Sequence, residues 1–458
     1  MRTMRQGSTT PGQRGERDKR DGRALVRAGQ RLILVCGAVL ALLLSACGQT
    51  GPGVAADRLV ALGAPDASAQ AHGISLLAAN QASAQQARER QTLMAAANWY
   101  IAHMSLDEQI GQMFLDEMDG QDFTPEMAYM IGQQHVGGII LFPLGVNFGT
   151  YNQQVTLDQQ IQAHAKIPLF TAADSEGGGL SLGLSEYFGS FPAPGDLGTS
   201  GDPRLAYQWG VTTAHDMRQV GINTNFAPVV DVSVNGAESW GSGRTFSSDP
   251  RQVALLAGAF MRGQQDAGEI STLKHFPGLG STVLDPHKTL PVINRSWDQL
   301  WSTELYPYRT LVASTPPDLI MSTDELVPVV DPTLPAEVSP AWINGILRQK
   351  IGYDGVVITD ALWMDGLSQW TRTRGFFDPG PAVVMSVEAG DDLMIAAYNA
   401  DSSALAIAGL KNAVLSGRIS RARIEQSVRR ILMVKIKYHL LPMPPTVQAQ
   451  QPLTALSA

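Results

Sequence analysis

Eight short apolar runs, each followed by an amphipathic stretch, constrain this chain more than any other feature. They are QMFLDEM at 112–118, GGIILF at 137–142, IPLFTAA at 167–173, INTNFAPVV at 222–230, ISTLK at 270–274, DLIMST at 318–323, GVVIT at 355–359 and DDLMIA at 391–396. Within each run apolar residues follow one another instead of alternating with polar ones, the pattern of strands buried on both faces. The stretches between them carry helix-start signals. Asp249-Pro250 precedes RQVALLAGAFMRGQ, Ser339-Pro340 precedes AWINGILRQK, and Ser420 precedes RARIEQSVRRILMVKIK. The first two pair an N-cap with proline at the first helical position, and the third ends in a basic turn that suits a helix C-terminus. Strands alternating with helices imply a parallel sheet, and eight strands in about 350 residues predict an α/β fold, a (β/α)8 barrel. An open doubly wound sheet is the competing architecture, but no run is followed by G-x-G-x-x-G. The barrel is expected to fill residues 91–442 as a single domain.

Outside that span the composition changes. Residues 1–31 hold nine Arg or Lys against three acids, a net of +6; the whole chain stands at −8, so the remainder stands at −14. An acidic body offers no phosphate-tracking groove and argues against nucleic acid as a partner. The basic head runs into LILVCGAVLALLLSA at 32–46, fifteen uncharged residues. That is short of the roughly 20 a membrane span needs and suits the apolar core of a secretory signal. It ends in Leu44-Ser45-Ala46-Cys47, which resembles the lipobox of bacterial lipoproteins. The resemblance implies a signal peptide over 1–46 and a lipid on Cys47 as the first mature residue, with the membrane as a partner through that anchor. An uncleaved anchor is the alternative, and either places the body outside the cytoplasm. Residues 47–90, rich in Ala, Gln, Gly and Ser, read as a flexible tether with a helix beginning near Gln85, and 443–458 as a disordered tail. Cys36 falls inside the signal, so no disulfide within the mature chain is expected.

In barrels of this kind the chemistry gathers at the C-terminal ends of the strands. Here Asp174, Asp231, Lys274-His275, Asp324 and Asp360 all stand at such ends. A lone carboxylate there is often a helix cap; five strand ends aimed at one mouth indicate a site. The densest stretch is KHFPGLGSTVLDPH at 274–287, where a lysine, two histidines and an aspartate share a segment poor in regular structure. Such loops carry function more often than packing.

This stretch, continued as KTLP, is similar to the signature loop of family-3 glycoside hydrolases, in particular the bacterial β-N-acetylglucosaminidases (β-N-acetylhexosaminidases), whose pattern runs K-H-F-P-G-H-G, then D-S-H, then L-P. DSEGGG at 174–179 resembles the family's D-Q-E-G-G, NFAPVVDV at 225–232 its N-F-A-P-V-x-D-V, and ITDALWMDG at 358–366 its T-D-A-L-x-M segment. The likeness continues through EAGDDLMIA at 388–396 and covers roughly residues 95–440. It implies the same barrel that the strand pattern gives independently. It also implies a retaining hydrolase that removes terminal β-linked N-acetylglucosamine from a carbohydrate substrate through a covalent glycosyl-Asp intermediate, without a cofactor. Position by position, it implies Asp360 as nucleophile, His287 as general acid/base with Asp285 as its partner, and Asp174, Arg244, Lys274 and His275 as the residues that hold the sugar. A retaining glycosidase needs a carboxylate to attack the anomeric carbon and a proton donor for the leaving oxygen. An imidazole charged and oriented by a nearby carboxylate can be that donor.

Four positions depart from the family pattern. Its G-H-G is Gly278-Leu279-Gly280, its D-S-H is Asp285-Pro286-His287, an expected Arg is Leu182, and an expected His in the sixth strand segment is Asp324. These leave open a non-catalytic sugar-binding lipoprotein on the same fold, or a β-glucosidase of the same family. A metal-dependent hydrolase would need several histidines at strand ends, and only His275 stands at one; no metal site is expected.

Overall fold

The computed structural model describes residues 67–142, 146–181, 183–234, 236 and 243–448. The expected signal segment, Cys47 and Leu182 lie outside them. The chain divides into two compact units after Leu77, and the second begins at Ala78. A helix runs over Ala67–Ile101, starting upstream of the Gln85 expected from sequence. Its Ala, Gln, Glu and Arg residues are all strong helix formers, which composition alone had marked only as polar and small.

All eight apolar runs form parallel strands: β1 Leu115–Glu117, β2 Gly138–Ile140, β3 Phe170–Ala173, β4 Thr224–Asn225, β5 Ile270–Phe276, β6 Leu319–Ser322, β7 Val356–Ala361 and β8 Leu393–Ile395. They neighbour one another in chain order, and the last meets the first. Met394 N donates to Met113 O at 2.9 Å and Glu117 N to Ala397 O at 3.0 Å, which closes the barrel. Asp116 reinforces this seam: one oxygen accepts from Ala396 N and Ala397 N, each at 3.0 Å, and the other bonds the Ser403 hydroxyl at 2.7 Å. Full burial pushes its carboxyl up to about 7. β4 is shorter than its run because Pro228 has no N–H to donate; beyond Asn225 the pairing with β5 loosens to a bridge between Val229 and Lys274.

Helices cover the barrel as the pattern of starts predicts, with one correction. Asp249 caps Pro250–Asp266 through a bond from Arg251 N, and Ser420 caps Arg421–Lys437 through one from Arg423 N. Ser339 does not cap Ala341–Ile351, a helix of π type. Its hydroxyl donates instead to Asp331 at 2.7 Å, a stronger charged acceptor. Between sheet and helices, the fully buried Phe276, Tyr308 and Trp342 pack edge to face, with ring centroids 5.2 and 5.9 Å apart. Each such side chain contributes about 1.5–3 kcal/mol of burial, so the strands that carry polar residues at their ends are rigidly held below them.

Candidate active site

Asp360 is the next-to-last residue of β7, half-buried after four fully buried positions. Its carboxylate is fixed from two sides: Thr323 Oγ1 donates to Oδ2 and Ala361 N to Oδ1, each at 2.9 Å. Asp324 and Glu337 lie within its electrostatic reach. Burial pushes both well above the usual carboxylate range, the charge of Asp360 adding to it for Asp324 and those of Asp324 and Asp360 for Glu337. Both therefore take up a proton more readily than an ordinary carboxylate, which lessens the negative charge beside Asp360.

Across the mouth stands a network of buried charges. Glu176 accepts two bonds from Arg244, Nε at 2.8 Å and Nη2 at 2.6 Å, and lies 2.7 Å from the Lys274 ammonium. Lys274 also pairs with Asp174. Burial pushes Glu176 up, but Lys274 and Arg244 more than reverse it and hold it well below the carboxylate range. Burial likewise depresses Lys274, and Asp174 and Glu176 outweigh it, so its ammonium stays charged. The loop that presents Glu176 turns sharply at Gly177, whose φ of 106° favours glycine and where a Cβ would sit 2.2 Å from Pro192 O.

Lys274 and His275 are sequence neighbours, and in a regular strand their side chains would face opposite ways. The ladder between β5 and β6 is irregular from Leu273 to Phe276, and both side chains reach the same cavity. His275 Nδ1 lies 2.8 Å from Asp231 Oδ2, and its Nε2 lies 3.5 Å from Arg244 Nη2. A guanidinium only donates, so this pairing assigns the hydrogen to Nδ1, facing Asp231.

His287 comes from a different kind of element. Its loop is exposed, and the imidazole is 53% accessible. Asp285 Oδ1 accepts from His287 N at 3.0 Å and faces its Nδ1 at 3.0 Å, while Lys288 lies 3.1 Å from the other oxygen. Burial raises the Asp285 carboxyl, but the bonds from Lys288 and His287 together outweigh it and lower it, so it remains an anion that orients the ring.

Asp174, Arg244, Lys274, His275, His287 and Asp360 line one cavity of about 170 Å³, with Glu176 and the apolar Ile140, Phe142, Phe226 and Met321. Asp285 stands behind His287. Of the seven residues to which the resemblance gave roles, six therefore line one mouth and Asp285 backs one of them, whereas the strand-end residues Asp231 and Asp324 are not part of its wall. The Glycosyl hydrolase family 3 N terminal domain model matches residues 105–434. The chain belongs to glycosyl hydrolase family 3. It is 32% identical over 341 residues to Beta-hexosaminidase A of Pseudoalteromonas piscicida, covering 68% of this chain and 55% of that protein. It is 35% identical over 279 residues to a beta-hexosaminidase of Tolumonas auensis, covering 60% and 80%. Among solved structures, a family 3 beta-N-acetylglucosaminidase from Paenibacillus superposes with a TM-score of 0.67 at 34% identity, covering 74% of this chain and 63% of that one. The chain thus spans a little over half of the Pseudoalteromonas relative and under two thirds of the Paenibacillus chain.

Within this family-3 frame, the sequence reading missed Glu176 and Thr323 and saw Asp231 only as a strand end. Glu176 sits two residues past Asp174 beside three glycines, in a segment read for its likeness to the family pattern. The departures resolve differently from one another. Leu279 is fully buried and its N–H donates to Asp231 at 3.0 Å. Asp324 is buried beside Asp360 and is not part of the cavity wall. Among the described residues no cluster of three or more His, Cys, Asp and Glu is placed to hold a metal ion.

Proposed function

We propose that this chain is a retaining exo-acting glycoside hydrolase that removes terminal β-linked N-acetylglucosamine from cell-wall or chitin-type fragments. One observation carries the reading: a carboxylate anchored on a buried strand and an imidazole anchored by a carboxylate face the same cavity, opposite a cradle of charged donors. In the first step Asp360 attacks the anomeric carbon while His287 gives its proton to the leaving oxygen. In the second, His287 takes a proton from water as it displaces Asp360 from the sugar. Asp285 supports the charged imidazole before the first step and after the second, and orients the neutral ring between them. Lys274 and Arg244 donate to sugar oxygens, Asp174 accepts from hydroxyls, and the apolar wall sets where the ring rests. The motif at Leu44–Cys47 supports an address outside the cytoplasm, held to the membrane by a lipid on Cys47.

The test separates the two roles. His287→Ala should slow cleavage of N,N′-diacetylchitobiose by about 10²–10⁴-fold, the usual worth of a general acid. A dinitrophenyl glycoside hardly needs protonation, so its covalent intermediate should still form and give a burst followed by slow turnover. Mass spectrometry after a 5-fluoro-glycoside inactivator should find the adduct on the peptide that contains Asp360. Equal damage on both substrates without a burst, or an adduct elsewhere, would refute the assignment.

A further inference from the structure

Asp324 is fully buried, yet one of its oxygens has a specific partner: Oδ2 accepts from Leu367 N at 3.0 Å. Leu367 lies in the first turn of the helix Asp365–Arg372. The preceding residue in that turn, Gly366, donates its N–H to Pro286 O at 3.0 Å, and Gln369 one turn on reaches Lys288 O at 3.4 Å. Those two acceptors flank His287. The contact is close as well as bonded. A Cβ at Gly366 would lie 2.2 Å from Asp324 Oδ2 and 2.9 Å from Pro286 O. Around this clasp the loop is open to solvent, with Val283 75% and Leu284 46% exposed, while Pro286 itself is buried.

We infer that Asp324 is a positioning residue: from the end of β6 it holds the start of the helix Asp365–Arg372, which clasps the backbone on either side of His287 and so sets where that imidazole stands. The inference rests on His287 being the acid/base. The upward push that burial and then Asp360 give the Asp324 carboxyl favours its protonated form, which suits the role. A protonated carboxyl has the shape of an amide, one oxygen accepting from Leu367 N and the other carrying hydrogen. The role belongs to this chain, since the family pattern set out above has a histidine at that position.

The experiment uses the full chain and compares Asp324→Leu, which removes the acceptor, with Asp324→Asn, which keeps it. Asp324→Leu should lower kcat on N,N′-diacetylchitobiose on the order of 10–100-fold, the effect of misplacing a catalytic group by a fraction of an ångström. KM and the burst rate with a dinitrophenyl glycoside should change less than threefold. Hydrogen exchange over 283–288 should quicken, and Asp324→Asn should restore both kcat and exchange. If Asp324→Leu fails to fold, Gly366→Ala presses a methyl into the same clasp and should show the same dependence on leaving group. Equal loss on both substrates, no loss, or an Asp324→Asn as impaired as the leucine variant would overturn the inference. His287→Ala runs alongside. If it alone lacks leaving-group dependence, the acid/base reading fails, and the exchange rates still report on the clasp. If it shows that dependence and the Asp324 variants do not, the clasp fails alone.

Discussion

Replacing Glu176 with glutamine removes one negative charge from a site that holds two buried cations. Arg244 has two of its donors on that carboxylate, and Lys274 sits 2.7 Å away with Asp174 as its other partner. Side-chain exposure is 6% for Arg244 and 3% for Lys274, so water cannot make up the loss. Removing one partner of a buried pair typically costs about 3–5 kcal/mol. For a large domain, at about 2 °C per kcal/mol, Glu176→Gln should lower Tm by roughly 6–10 °C. The sign of the pH dependence is also set. Glu176 is held below its unfolded value, so its stabilisation is present above pH ~4.3 and fades as pH falls toward the folded value. The Tm gap between wild type and variant should be constant from pH 5 upward and narrow below about pH 4. Differential scanning fluorimetry across that range reads both quantities, and steady-state kinetics should show a raised KM as the two cations lose their fixed positions. Asp174→Asn, at a side chain 22% exposed, should cost less. A Glu176→Gln protein that melts within 1 °C of wild type would show that the carboxylate does not balance these cations.

Asp116→Asn tests the seam of the barrel. The carboxyl is raised from 3.8 to about 7, so its contribution is present below pH ~4 and is lost as pH rises through 7, on the order of 4 kcal/mol at most. Glu117 and Asp158 are raised to about 7 as well, and burial leads in both. Chemical denaturation of wild type should weaken from pH 5 to 8, and the asparagine variant should weaken distinctly less; parallel curves would contradict the assignment. Gly280→Ala should be destabilising and poorly expressed, because its Cβ would lie 2.0 Å from Val232 O, and a wild-type Tm would count against that packing. Cys47→Ser should abolish palmitate labelling and leave an unprocessed precursor. A wild type that incorporates no palmitate is not a lipoprotein.

The eight strands were legible because burial on both faces leaves a near-continuous apolar run, and strand ends were legible because polarity returns abruptly at Asp174, Lys274 and Asp360. What a linear pattern withholds is which ends face each other. Glu176 and Arg244 are 68 residues apart, and beside a run of glycines nothing in the sequence marks Glu176 as the partner of a distant arginine. Thr323 followed an apolar run as an ordinary strand residue; only the register of β6 against β7 brings its hydroxyl to Asp360. Asp324 read as a strand-end carboxylate where the family pattern has a histidine; the sequence showed its place but not that its oxygen turns away to Leu367. Ser339 carried a sound capping signal that lost to a better acceptor eight residues back.

The two halves of the proposed chemistry are mounted differently, and this bears on how such a site can change. Asp360, Lys274 and His275 stand on buried strands, and Lys274, Arg244, Glu176 and Asp174 share a web of charges, so alteration of one member of that web disturbs the rest. His287 is carried on an open segment joined to the barrel by a few backbone bonds near Pro286 and Lys288. Substitutions at Val283 or Leu284, both open to solvent, leave the strand-borne half intact. Drift at Val283 and Leu284, which lie outside the cavity wall, can therefore adjust how the segment carries His287 while the strand-borne half persists, so this part of the site is open to change without rebuilding the core.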